Sequence, residues 1–173
     1  MEKHPGYDWS IVEDEVRQRS AGPGVWSMET VREFTGLEQI QKMLAGELPY
    51  SPIADTLGFM LVEAEKGRVV FQGTPCHQHY NLMGVVHGGY QATLLDSCVA
   101  LAIHSMLDAG QGSTTLELKV NYIRALTERT GPVRAEGKVI HVGRQSATAE
   151  GRLLDAEGRL YAHATTTCHI FTV

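Results

Sequence analysis

A histidine, two glycines and a distant carboxylate on one apolar segment are the groups of this chain best spaced for chemistry. The stretch is Asn81-Leu82-Met83-Gly84-Val85-Val86-His87-Gly88-Gly89, and Asp96 follows in a run built mostly from Ala, Leu, Val and Ile. Two glycines after His87 let the backbone bend sharply and leave bare amides at a helix start. Such a start is a cradle for an oxygen carrying negative charge. Asp96 lies about two turns further along that helix. Burying a lone carboxylate is costly, so it needs a partner or a task. The segment reads as a catalytic or ligand-binding site. Each residue also has a plain structural reading: Asp96 as a pin to a loop, His87 as a loop terminator, Asn81 as a turn former.

The elements that must position these groups are visible in the periodicity. Trp9, Val12 and Val16 make one face of a short helix that Gly22-Pro23-Gly24 closes. Apolar spacing from Val31 to Leu44 predicts one helix over 27–45, with Ser27 at its start. After Pro49 and Pro52 the texture becomes that of strands, with Phe59–Glu65 and Arg68–Gly73 forming a hairpin about Lys66-Gly67. Gly88–Asp108 is a helix apolar nearly all round, which predicts a helix enclosed by protein. Three alternating runs follow, with Leu116, Leu118, Val120 and Tyr122 on one face of the first, and a fourth run covers Leu160 to Ile170. The inward sets Ala135, Gly137, Ala147, Ala149, Gly151, Ala162 and Ala164 are all small, leaving a trough in which that helix can lie. The expected architecture is α+β: a curved antiparallel sheet around one central helix, with an extra N-terminal helical segment.

The 173 residues suit a single core. Twenty acidic against fifteen basic residues and no basic run argue against nucleic acid as a partner. No apolar run is long enough to span a bilayer, and the polar start Met1-Glu2-Lys3-His4-Pro5 lacks a signal-peptide core, so no membrane partner is expected. Three scattered cysteines, Cys76, Cys98 and Cys168, imply no disulfide framework and fit a cytoplasmic protein. Cys76-His77-Gln78-His79, with His87 downstream, has alternate histidines but lacks the surrounding pattern of a zinc motif. It reads as a loop at the site entrance, and neither metal nor cofactor is expected.

The combination Asn81-x-x-Gly84-x-x-His87-Gly88-Gly89, Leu94-Leu95-Asp96, Thr115 opening a strand that ends at Tyr122, Gly143-Arg144 and the Asp155 to Gly158 turn resembles the hotdog fold. More narrowly it is similar to the PaaI-like acyl-CoA thioesterases of phenylacetic acid pathways. The resemblance covers residues 50–171 and divides the chain into a leader and helix, 1–49, and a hotdog domain, 50–173. It implies metal-free hydrolysis of an acyl-CoA, medium-chain or aromatic, with coenzyme A as part of the substrate. It also implies roles: Gly88 N–H on the thioester carbonyl oxygen, Asn81 and His87 orienting carbonyl and water, Asp96 as nucleophile or general base, and Thr115 on the water or the carboxylate. Gly89, Arg144 and Arg124 would bind substrate, with Lys138 a weaker candidate for phosphates. The acyl pocket is expected to draw on residues 50–60 and 75–85 and on a neighbouring subunit. A non-catalytic acyl-CoA-binding module is the alternative. A hotdog dehydratase fits less well, because Asp96 follows His87 by nine residues on the helix instead of preceding it in a loop.

Spacing adds a condition of its own. Eight helical residues place the Asp96 carboxylate about 12 Å from the Gly88 amide. A reacting carbon must lie within roughly 3–3.5 Å of its attacking atom while its oxygen sits on the amide. One chain cannot satisfy both. Two antiparallel copies of the helix about a two-fold axis can, so a homodimer is expected as the minimum catalytic unit. The resemblance implies the same pairing, often stacked into a homotetramer.

Overall fold

A computed structural model describes residues 9–173; the polar start Met1–Pro5 lies outside them. The chain runs α1 (Trp9–Arg19), α2 (Met28–Glu33), α3 (Gly36–Leu44), α4 (Pro52–Leu57), β1 (Phe59–Glu65), β2 (Arg68–Gly73), α5 (Gly88–His104), β3 (Gln111–Tyr122), β4 (Val133–Val142), β5 (Ser146–Asp155) and β6 (Leu160–Thr172). Single 3-10 turns lie at His77–His79 and Glu128–Thr130. The six strands form one antiparallel sheet in the order β1-β2-β4-β5-β6-β3.

The expected trough is present, and its floor is a pair of glycines. Gly137 on β4 pairs directly with Gly151 on β5. A Cβ on Gly137 would lie 2.3 Å from the Cys98 carbonyl oxygen, and one on Gly151 would lie 2.8 Å from Val99 Cγ1. The backbone of α5 therefore rests on the sheet at this point. Ala135, Ala147, Ala149, Ala162 and Ala164 flank the contact, all buried. Leu94, Leu95, Cys98, Val99, Ala102 and Ile103 pack downward into it.

Five sequence expectations change. The predicted helix over 27–45 is two helices. Phe34 and Thr35 are extended, and Thr35 starts a new helix through a capping box with Glu38 that outcompetes continuation. The region after Pro49 holds a short helix, α4, with proline at its first position and left-handed Gly58 at its end. Helix α5 stops at His104, four residues short of Asp108, where His104 meets Gln39 and the Leu107 carbonyl accepts from Gly36 N–H. It is also only half enclosed: Ala92, Thr93, Asp96, Ser97 and Ala100 remain partly exposed on the face away from the trough.

The fifth change bears on the site. Strand β3 begins at Gln111, so Thr115 lies inside it. A bulge there shifts the register against β6 between Thr115 and Glu117. The extra residue reverses the side-chain phase: Thr115 falls in line with Leu118 and Val120, while Leu116 is turned out and 65% exposed. Strict alternation had placed Leu116 inward.

The N-terminal segment wraps the β1 edge of the sheet. On the outer face Gln72 donates to the Trp9 carbonyl, Arg134 lies 4.3 Å over the Trp9 ring and Thr74 donates to Glu13. The chain then crosses at Gly22–Gly24, and α3 packs beside the end of α5 through Gln39 and His104. Strand β3 forms the opposite edge, with β6 on one side and no strand among the described residues on the other.

Candidate active site

Helix α5 starts at His87, whose extended backbone and side chain cap it: Nδ1 accepts the Gly89 N–H at 2.8 Å. That bond divides the two glycine amides. Gly89's amide is committed to His87, whereas the Gly88 N–H has no acceptor among the described residues and points out of the helix end with the helix dipole behind it. The Tyr122 hydroxyl donates to the Gly88 carbonyl at 3.0 Å, and the Tyr122 ring lies where a Gly88 Cβ would stand, 3.0 Å from Cζ. Tyr122 thus fixes the Gly88–Gly89 peptide, the one that follows the peptide carrying the free amide. Its place in the alternating run signalled only a strand residue.

The loop before the helix is built by Asn81. Its Oδ1 accepts from Met83 N–H at 2.8 Å and Val85 N–H at 3.4 Å, and its backbone bonds close the same turn onto Gly84 and Val85. This uses the carbonyl end of the side chain and leaves the NH2 end without an acceptor among the described residues. His79 follows Cys76 in the preceding turn, accepting from its backbone N–H and stacking on Tyr90. Burial pushes the His79 imidazole below its ordinary value. No three His, Cys, Asp or Glu side chains gather to hold a metal among the described residues.

Two turns along α5, the half-buried Asp96 carboxylate accepts a hydrogen bond from Thr115 Oγ1 at 3.0 Å. The β3 bulge makes this bond possible. Thr115 holds Oδ1, and Oδ2 stays open toward the partly exposed face of the helix. Of the residues singled out by sequence, the chain joins Asp96 to Thr115 and His87 to Gly88 and Gly89, but not one group to the other. Arg124 and Arg144 are separated as well. Arg124 ties the end of β3 to the Leu160 carbonyl, while exposed Arg144 sits in the β4–β5 turn next to Gln145, which meets His169 at the far end of β6. Lys138 pairs with Glu136 on the surface.

A cavity of about 350 Å³ lies a quarter turn around α5 from Asp96, with Ser97 and Leu101 in its wall. Residues of the expected 50–60 stretch line it; none of 75–85 does. Gly24 to Trp26 and Met43 take part instead, a contribution that periodicity could not reveal.

Residues 83–162 match a family model described as the thioesterase superfamily. A protein of Saccharolobus solfataricus named as an esterase is 32% identical over 108 residues, which cover 62% of this chain and 75% of that one. The chain belongs to the thioesterase superfamily. Within it, the 1,4-dihydroxy-2-naphthoyl-CoA hydrolase of Listeria monocytogenes is 23% identical over 108 residues, covering 62% of this chain and 86% of the relative. A mutant structure of the phenylacetic acid degradation protein PaaI from Thermus thermophilus superposes with a TM-score of 0.63 at 28% identity, over 69% of this chain and 98% of that one. The six-stranded sheet on a central helix is the superfamily's hotdog fold, and the PaaI-like character expected from sequence holds. The chain carries no helix among its described residues that is long and apolar enough to cross a membrane.

Proposed function

We propose that this protein hydrolyses an acyl-CoA thioester to the free acid and coenzyme A, at a site shared by two chains. The carrying observation is the separation on α5 of an unpaired amide at Gly88 from a carboxylate held by Thr115 at Asp96. In a two-fold pair, Asp96 of one copy stands beside Gly88 of the other. Asp96 then attacks the carbonyl carbon, or takes a proton from a water that does. The electron pair moves to the carbonyl oxygen, where the Gly88 N–H and helix dipole meet the negative charge. Collapse breaks the C–S bond and releases the thiolate, which takes up a proton. Where Asp96 itself attacked, a water then hydrolyses the acyl–Asp96 anhydride to give the free acid and regenerate the carboxylate. The Asn81 NH2 and the exposed His87 ring orient the carbonyl and the water.

Several surfaces support the pairing. The open edge of β3 and exposed Leu116, Tyr122, Ile123, Leu82 and Met83 leave apolar area uncovered. The uncovered face of α5 adjoins that edge through the Asp96–Thr115 bond. The naphthoyl-CoA hydrolase supports a CoA thioester as substrate. The test is thiol release from a panel of acyl-CoAs. Wild type should release CoA from at least one, and Asp96→Asn should lower kcat by about 10²–10⁴. Binding of acyl-CoA without release from any member would leave a binding module in its place.

A further inference from the structure

The cavity beside α5 has a composition that selects its occupant. Trp26, Met43, Pro49 and Ala54 from the N-terminal segment face Phe59 of β1 and Ser97 and Leu101 of α5. No Asp, Glu, Lys, Arg or His lines it. The Tyr50 hydroxyl at its side is spent on Asp55 at 2.8 Å, and the Trp26 indole N–H on the Pro49 carbonyl at 2.9 Å. A charged group entering here would lose its hydration and find no counter-charge, which excludes the phosphates of CoA and any acyl group ending in a carboxylate. An apolar cavity of about 150 Å³ accepts one benzene ring. This one has about 350 Å³, room for an aromatic ring on a short linker or a chain of roughly eight carbons.

Resting on the thioesterase reading, we propose that this cavity is the acyl site, that it takes an uncharged ring or medium-length chain, and that the N-terminal segment sets its length. Ser97 follows Asp96, about 100° around the helix, so on this proposal an acyl group whose carbonyl carbon lies at Asp96 passes across α5 to the cavity of the same protomer. The acyl group and the carboxylate then belong to one chain and the amide cradle to its partner. The likeness to PaaI leaves roughly three tenths of this chain outside it. Residues 24–54, which lie before the family-matched stretch, supply one wall. Part of the substrate choice therefore resides in a stretch of chain separate from the catalytic machinery, the rest in the α5 wall at Ser97 and Leu101.

The test uses S-methyl-CoA and S-octyl-CoA, thioethers that bind without being cleaved, titrated calorimetrically into the full-length protein. Each methylene buried strengthens binding roughly fourfold, so wild type should hold the octyl compound at least about tenfold tighter than the methyl one. Val25→Trp, at the exposed rim, and Ser97→Leu, on the helix wall, should each reduce that ratio at least about threefold. A ratio near one in wild type overturns the acyl site, as does a large ratio that neither variant changes. Both readings are independent of turnover: a protein that binds by chain length yet releases no CoA from any member of the acyl-CoA panel would contradict the thioesterase proposal and leave the cavity assignment standing.

Discussion

Asp96 and Gly88 draw their character from neighbours that a sequence motif does not display. Thr115 reaches Asp96 because a bulge turns it inward, and Tyr122 reaches Gly88 because its strand ends over the start of the helix. Tyr122→Phe removes one hydrogen bond, worth about 0.5–1.5 kcal/mol. If that bond steadies the helix start beside the free amide during turnover, kcat should fall about twofold to tenfold with KM little changed, and steady-state kinetics on a short acyl-CoA would show it. An equal loss in KM alone would make Tyr122 a substrate contact. His87 and Asn81 have local structural duties as helix cap and turn former. Replacing either by alanine should lower thermal stability as well as activity, whereas Asp96→Asn should leave the melting temperature within a few degrees of wild type.

Helix α5 lies where it does because two glycines let it. Gly137→Ala drives a methyl group into the Cys98 carbonyl, a backbone atom that cannot step aside, while Gly151→Ala meets only side-chain atoms, of Val99, Leu95 and Cys98. Gly137→Ala should cost about 1–3 kcal/mol and more than Gly151→Ala, read from denaturant midpoints. The β5–β6 turn offers a pH test. Buried Asp155 accepts from the Glu157 and Arg159 amides, Arg159 Nε and the Tyr161 hydroxyl. Burial works against these bonds, but together they hold its carboxyl below the ordinary value of 3.8. A depressed folded value means the unfolded chain binds the proton first. The stabilisation is full above about pH 5 and drains as pH falls through 3.8 and below. Unfolding curves from pH 6 to 3 should converge for wild type and Asp155→Asn at the acid end. The small-residue trough and the hairpin could be read from sequence, because alternation and residue size report directly on a sheet face. The break at Thr35 and the bulge at Leu116 could not, since each turns on one local competition that leaves the surrounding pattern intact.

The assembled molecule has a covered edge and an open one. The N-terminal segment folds over β1 and walls the cavity, while β3 with Leu116 is left bare. The spacing of Gly88 and Asp96 could be read from sequence and already called for two chains; the placement of residues 9–50 could not, because it depends on tertiary contacts with Gln72, Arg134 and His104. A shared site can be tested by complementation. Gly88→Pro deletes the free amide at the first helical position, where proline suits the backbone while its Cβ pushes the Tyr122 ring aside, and Asp96→Asn deletes the carboxylate; each variant alone should be nearly inactive. When the two are unfolded together and refolded in equal amounts, half the dimers are mixed, and each mixed dimer contains one intact site. Thiol release should return to about a quarter of the wild-type rate. Recovery no greater than the sum of the two separate variants would contradict the two-chain site.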